Sequence, residues 1–450
     1  MAQVESRNRA TSDPGARKEV LKAIKERAIE DVLLWFTDIE GHLKSFSIST
    51  SEVEGALDDG MGFDGSSITG FNAIEESDMV AIPDPDTYRV LPDGVTARMI
   101  CDVVTPDGRP YDGDPRYVLR RARDRLRSMG FDTFNVGPEA EYFLFKDEHG
   151  TETLDEGGYF AQTTLDAATA VRRDTIRALE AMGIPVEYHH HEVGPSQHEI
   201  DIRFSNSLEM GDYMLTYRHV VKDVAKQHGY HATFMPKPLF GENGSGMHTH
   251  QSIFKDGRNM FFDADDKWHL SDVGKAFIAG QLRHARELCA VFAQWVNSYK
   301  RLVPGYEAPV YVAWSQRNRS ALIRIPLYKP GSEQATRVEI RCPDPACNPY
   351  LTFASLLHAG LEGIEHGYEL PDPMETNLYH LTPEQRRERG ITSLPETLGE
   401  AIDELSRSEL MRKALGPHIF DRYVELKRRE WDEYRVQLTD WELKKYLPVL

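Results

Sequence analysis

Four separated segments of this chain carry polar side chains, most of them charged or imidazole, two residues apart. They read GPEAEYFLF (137–145), HEIDIRF (198–204), MHTHQS (247–252) and RVEIR (337–341). Alternation with a period of two marks a strand, because successive side chains point to opposite faces. Glu139 and Glu141 then share a face, as do Glu199, Asp201 and Arg203. His248, His250 and Ser252 share another, and so do Arg337, Glu339 and Arg341. Any one stripe is accounted for by an antiparallel sheet with one wet face. Four of them are harder to place in water, because carboxylates two residues apart repel unless a cation lies between them. Hard divalent cations take oxygen ligands with an occasional imidazole, and interleaved arginines suit an anion such as phosphate. The stripes therefore predict Mg²⁺ or Mn²⁺ beside a phosphorylated ligand. The tight HExxH cluster of a zinc hydrolase is absent.

The rest of the chain places these strands in a larger frame. After a polar tail over 1–15, residues 16–29 have apolar positions at helical spacing. DVLLWFTD and LKSFSIS read as strands around the turn IEGH, MGFDGSSITGF as a loop, and ARMICDVVT as a further strand. These form a small unit over 16–109. PYDGDPR, with two prolines and a glycine, reads as a linker into a larger unit over 110–450. That unit opens on PRYVLRRARDRLRSMGF, a helix whose arginines read as a solvated face. Strands and helices then alternate without strict βαβ order, which predicts an α+β fold. Neither GxGxxG nor GxxxxGK[ST] occurs, so any nucleotide is held by other loops.

Composition narrows the function. A formal charge of −19 argues against non-specific nucleic-acid binding, which needs a basic footprint. No apolar run reaches the roughly 18 residues of a membrane helix. Cys101, Cys289, Cys342 and Cys347 form no CxxC, which predicts reduced, cytoplasmic thiols. Two loops add candidates. NGSG (243–246) puts glycines where a tight turn or a close backbone approach is needed. RLVPGYEAP (301–309) carries Glu307 between glycine and proline, and Arg317, Arg319 and Arg324 follow Arg301. In isolation, Glu307 reads as a solvated loop residue and Asp64 of FDGSS as a turn cap.

Together, FDGSS, GPEAEYFLF, HHHEVGPSQHEID, KPLFGENGSGMHTHQS, RLVPGYEAP, NRSALIRIP and RVEIRCPDPACNPYL resemble glutamine synthetase of the bacterial and archaeal type I class. The resemblance runs from about residue 16 to residue 450, and the absence of a mid-chain insertion is similar to the shorter alpha subtype. It implies a small N-terminal β-grasp domain and a large C-terminal catalytic domain with a curved antiparallel sheet and helices. It also implies a dodecamer of two stacked hexamers, with active sites between neighbouring subunits and the C-terminal segment strapping the rings. Nitrogen-regulatory proteins are possible further partners. The implied reaction joins ammonia to glutamate at the expense of ATP, through γ-glutamyl phosphate.

Carried over motif by motif, the resemblance makes Glu141, Glu192 and Glu199 ligands of one divalent ion, and Glu139, His248 and Glu339 ligands of a second. His250, Ser252, Arg319 and Arg324 fall on the nucleotide side. Asn243, Gly244, Arg301 and Arg341 fall around glutamate and the transferring phosphate, and Tyr159 borders the ammonium pocket. Asp64 becomes the general base for a neighbouring subunit's site, and Glu307 a flap over the reaction. Two positions depart from the pattern. Ala73 stands where alpha-type enzymes carry an arginine linked to glutamine feedback, so the resemblance does not carry that feedback over to this chain. NLYHLTPEQ resembles the loop with the adenylylated tyrosine of the beta subtype, and Tyr379 occupies that place in an otherwise alpha-like chain. The rival functions are a related ligase that couples glutamate to a polyamine or another amine, and a catalytically silent nitrogen-regulatory homologue. Retention of Asp64, Tyr159 and Glu307 favours ammonium over a bulkier amine, and six filled metal positions oppose a silent homologue.

Overall fold

The computed structural model describes residues 14–70, 77–327 and 329–450. Ala73 lies outside the described residues, as do the first thirteen positions of the expected tail. The first helix, α1, begins at Pro14 and ends at Glu26. A six-stranded sheet follows: β1 Asp31–Thr37, β2 Leu43–Ser49, β3 Met61–Asp64, β4 Asp78–Pro83, β5 Arg89–Val90 and β6 Thr96–Val104. Its order is β2-β1-β6-β4-β3, with β1 and β6 parallel and the other pairs antiparallel. A short helix, α2 (Val53–Asp59), packs against β4. The segment MGFDGSSITGF, expected as a loop, supplies β3 before it turns.

The second sheet has ten strands. They are β7 Thr133–Phe145, β8 Val186–His191, β9 Gln197–Ile202, β10 Ser205–Asn206, β11 His231–Thr233, β12 Met247–Lys255, β13 Arg258–Asn259, β14 Tyr311–Ser315, β15 Ala321–Arg324 and β16 Val338–Ile340. The main order is β14-β15-β16-β12-β7-β9-β8. The expected antiparallel sheet is mixed at one edge, where β14 and β15 run parallel. Helices α3 (Pro115–Ser128), α4 (Thr169–Ala181), α5 (Ser207–Gln227) and α6 (Asp272–Phe292) pack on it, α7 (Ser298–Arg301) is a single turn, and α8 (Pro349–His366) packs on α3, α5 and α6. The buried face of the sheet and these helices form one continuous apolar core. Among the described residues, no helix is long and apolar enough to cross a membrane. All four cysteines are free and buried.

The segment PYDGDPR is not a free linker. Tyr111, Asp114 and Arg116 are buried, because Asp114 accepts from the backbone N–H of Val103 (3.0 Å) and of Arg116 (2.9 Å) and so caps α3. Nor do the α3 arginines form a solvated face, Arg127 apart. Arg116 bonds Asp212 of α5 through Nε (3.0 Å) and Nη2 (2.9 Å), and also reaches Asp102 (2.6 Å) and Asp84 (2.8 Å) of the first unit. Paired charges of this kind fix geometry more than they add stability, because each ion has lost its water. The loop 38–42 is held in the same way: Asn348 Nδ2 donates to Ile39 O (3.1 Å), Gln294 Nε2 to Glu40 O (2.8 Å), and Lys427 Nζ to the Glu40 carboxylate (2.7 Å).

Arg125, also on α3, donates to His358 Nδ1 of α8 at 2.9 Å. Burial, then the Arg125 charge, pushes the His358 imidazole down to about 3. The native state therefore binds fewer protons than the unfolded chain between about pH 3 and the ordinary imidazole value of about 6.5. Stability from this group is complete above that window and falls as pH drops through it. His358→Gln keeps an acceptor for Arg125 and removes the titration. It is expected to lessen the loss of stability between pH 7.5 and pH 5 by about 2 kcal/mol, read from urea unfolding midpoints at several pH values. An unchanged pH slope would overturn this assignment.

Candidate active site

Strand register brings the four polar stripes side by side. Glu139 on β7 lies opposite His248 on β12, and His250 lies opposite Glu339 on β16. Glu141 pairs with Glu199 on β9, which also faces His190 on β8, while Arg324 on β15 faces Glu339. Directly paired residues hold their Cβ atoms about 5 Å apart, so one polar surface runs across six strands.

Two clusters on this surface suit a metal ion. Glu139, His248 and Glu339 offer ligand atoms that lie within 4.8 Å of one another, and so do His190, Glu192 and Glu199. The first is the expected set. Burial and the Arg341 charge depress the His248 imidazole, which favours the neutral form a metal requires. His250 is committed elsewhere. Its Nδ1 accepts from Arg337 Nε (3.1 Å), which leaves the proton on Nε2 to be donated to Glu139 (2.8 Å). Glu339 is fully buried and is bonded by both Arg324 and Arg341.

The second cluster differs from the expected set by one residue. His190 stands with Glu192 (2.8 Å), whereas Glu141 accepts from Gln197 Nε2 (2.8 Å) and Gly246 N–H (3.1 Å). Glu141 nevertheless belongs to the same charge system: burial, then Glu192, raises its carboxyl well above the ordinary value. Burial, then Asp201, does the same to Glu199. Crowded carboxylates that repel one another in this way fit an oxygen-ligated divalent cation, whose charge removes the repulsion.

A third cluster, Asp155, His191 and His198, does not fit one. Arg172 Nη1 donates to His198 Nδ1 (2.8 Å), so the His198 proton sits on Nε2 and no lone pair remains. Both nitrogens of His191 face acceptors, Asp155 (2.9 Å) and the Glu192 carbonyl (2.7 Å). This network supports the segment that presents Tyr159, whose ring stacks on Phe160 at 4.0 Å and meets the edge of His190 at 5.3 Å.

The remaining candidates fall into two groups. Asn243, Gly244, Arg301, Glu307 and Arg341 line the cleft beside Glu141, Glu192 and His248. The NGSG glycines allow close packing of the chain on itself: a Cβ on Gly244 would come within 2.4 Å of Pro236 O, and one on Gly246 within 2.7 Å of Arg301 Nη2. Arg301 is buried and donates to the carbonyls of Cys342 (2.7 Å) and Arg341 (3.0 Å). Glu307 and Arg319 line an adjoining cavity of about 370 Å³ with Arg317, Arg341, Asn377 and Tyr379. Ser252 lies on the His250 face, opposite Asn135. Asp64 is not brought to the cleft. It is exposed, and its carboxylate accepts from the backbone N–H of Ser66 at 2.8 Å.

Sequence reasoning overlooked three features. Gln197 ties Glu141 to the Gly244 carbonyl (3.2 Å), but in GPSQ it reads as a turn residue. His190 is hidden among three consecutive histidines. Phe204, which alternation puts on the face of Ile200 and Ile202, is exposed and lies against Gly137 close to His250.

Comparison with known proteins agrees with this geometry. The family model for the glutamine synthetase β-grasp domain matches residues 28–106, and that for the catalytic domain matches residues 112–446. The glutamine synthetase of Methanosarcina mazei is 52% identical over 442 residues, covering 96% of this chain and 98% of that protein. That of Mycolicibacterium smegmatis is 51% identical over 438 residues (95% and 98%), and that of Thermus thermophilus 48% over 442 residues (96% and 98%). The solved GmaS/ADP complex superposes with a TM-score of 0.86 at 30% identity, covering 95% of this chain and 99% of that one. Matches of this extent, carried by both domains, place the chain in the glutamine synthetase family.

Proposed function

We propose that the chain ligates ammonia to L-glutamate with hydrolysis of ATP, through γ-glutamyl phosphate. The observation that carries this reading is the Glu139–His248–Glu339 cluster with Arg324 and Arg341 on its buried carboxylate. It joins a divalent-metal site to phosphate-binding groups. Mg²⁺ or Mn²⁺ fits the donors, one ion with Glu141, Glu192 and Glu199 and the other with Glu139, His248 and Glu339. Bound there, the ions supply Lewis-acid stabilisation of phosphoryl oxygens.

The chain's own groups do the rest. Arg301, Asn243 and Gly244 orient glutamate so that its γ-carboxylate faces the ATP γ-phosphate. Arg319, Arg324 and Arg341 spread the charge of the phosphoryl group during transfer. His250, Ser252 and Arg324 face the nucleotide, with the exposed Phe204 ring near His250 as a flat surface for a base. Tyr159 and Glu307 border the ammonium pocket. Asp64 takes a proton from ammonium, whose lone pair then attacks the acyl carbon and expels phosphate. Because Asp64 is exposed and does not line its own cleft, it suits the site of an adjacent subunit. The exposed apolar side chains near the C-terminus, including Leu438, Trp441, Leu447 and Val449, suit burial by another copy. Both features support the dodecamer. A cytoplasmic location accords with four free thiols, and the domain division at 109/110 accords with the two sheets.

The test is phosphate release from ATP with Mg²⁺ and glutamate, comparing ammonium with methylamine, ethanolamine and putrescine. Ammonium-dependent release with glutamine as product is expected. Release with a bulkier amine alone would replace the substrate and keep the metal and phosphate sites. No release with any amine would favour the silent homologue.

A further inference from the structure

We infer that Tyr379 is a positioning residue whose hydroxyl holds the Glu307 loop over the reaction, an inference that rests on reading Glu307 as a shield of the acyl phosphate. The Tyr379 hydroxyl donates to the carbonyl of Ala308 at 2.9 Å. Ala308 is buried and directly follows Glu307, which has a left-handed backbone at φ +57°. Among the described residues, this is the one hydrogen bond that reaches the backbone of 304–308 from outside that stretch. Glu307 and Tyr379 also line the same cavity. A non-glycine residue in the left-handed region persists only where its surroundings impose it.

Tyr379 is itself firmly placed. Leu378 N–H donates to Ser320 Oγ at 3.0 Å, and Asn318 Nδ2 donates to Met374 O (3.0 Å) and Thr376 O (2.5 Å). The Glu375 carboxylate accepts from Ser315 Oγ (2.9 Å) and Gln316 N–H (3.0 Å). The segment 374–379 is thus stitched along the loop 315–320, which carries Arg317 and Arg319. One end is bonded to the loop that carries Arg319 and the other to the Glu307 loop. The Tyr379 ring packs 6.0 Å from that of Tyr311, on the strand between the two loops. This clasp links the position of Arg319 to closure by Glu307. Loosening it admits water to γ-glutamyl phosphate, which hydrolyses to glutamate and phosphate without forming an amide.

The test compares wild type, Tyr379→Phe and Glu307→Ala for phosphate released per glutamine formed, with amide hydrogen exchange followed over residues 303–309. Phenylalanine keeps the ring packing and removes the donor. A single neutral hydrogen bond shifts a closed–open equilibrium about two- to tenfold. Tyr379→Phe is therefore expected to raise phosphate per glutamine at least about twofold and to speed exchange in the loop, with glutamate-dependent ATP consumption unchanged. If Glu307→Ala uncouples while Tyr379→Phe stays coupled, the clasp is overturned and the shield stands. If Glu307→Ala stays coupled, the shield reading fails and the clasp fails with it. Uncoupling by Tyr379→Phe without faster exchange in the loop also overturns the clasp.

Discussion

Replacing Glu339 by glutamine is expected to lower glutamine formation at least about a thousandfold, more than any other single change on the sheet. Three demands meet on this one carboxylate. It is a member of the Glu139–His248–Glu339 cluster, it is fully buried, and it accepts from both Arg324 and Arg341. Burial raises its pKa, but Arg341, His250, His248 and Arg324 more than offset this and hold it below the ordinary carboxylate value. A neutral amide at this site leaves two guanidinium groups without their shared anion. Breaking a buried ion pair by removing one partner costs about 3–5 kcal/mol, so the unfolding midpoint is expected to fall as well. On the proposed function, Arg324 and Arg341 then lose the anchor that would set them against phosphate. Titration of activity with Mg²⁺ separates the effects: a lost ligand raises the metal concentration needed, whereas misplaced arginines lower the plateau. Glu339→Asp keeps the charge and is expected to recover part of the plateau. Activity of Glu339→Gln within tenfold of wild type, at any metal concentration, would falsify the assignment.

What the sequence disclosed about this site followed from one rule. Period-two alternation fixed which face each of Glu139, Glu141, Glu199, His248, His250 and Glu339 would take, and the structure puts those faces together. Which strands would be neighbours was not legible, because pairing across long separations leaves no local trace. Resemblance to a family supplied it. The α3 arginines show the converse failure. A run of like charges reads locally as a solvated face, but Arg116 is bonded to Asp84 and Asp102 of the first unit and to Asp212 of α5, which the local sequence does not show. β14 went unrecognised because YVAWS has no polar alternation, and its partner β15 lies across a loop. Gln197 escaped for a different reason. Its importance lies in two acceptors, Glu141 and Gly244 O, that become neighbours only when β7, β9 and the glycine loop have folded.

Glu307→Ala is expected to leave glutamate-dependent consumption of ATP within a fewfold of wild type and to cut glutamine per ATP at least about tenfold. Glu307 is exposed, lines both the cleft and the adjoining cavity, and is not a member of the Glu139–His248–Glu339 cluster. Its loss therefore falls on the second half-reaction, in which ammonia must reach the acyl carbon before water does. Backbone strain offers a rival explanation, since a left-handed non-glycine residue costs about 1 kcal/mol or more. Glu307→Gly separates the two. Glycine adopts φ +57° freely, so the backbone is relieved while the carboxylate is still lost. Equal uncoupling by alanine and glycine assigns the effect to the carboxylate, and normal coupling in the glycine variant assigns it to the backbone. Glu307→Gln adds a third comparison, because it retains the side chain's bulk without its charge. If bulk alone keeps water out, glutamine will couple normally. If the carboxylate also completes the ammonium site, coupling will fall and the ammonium concentration needed for half-maximal amide formation will rise together.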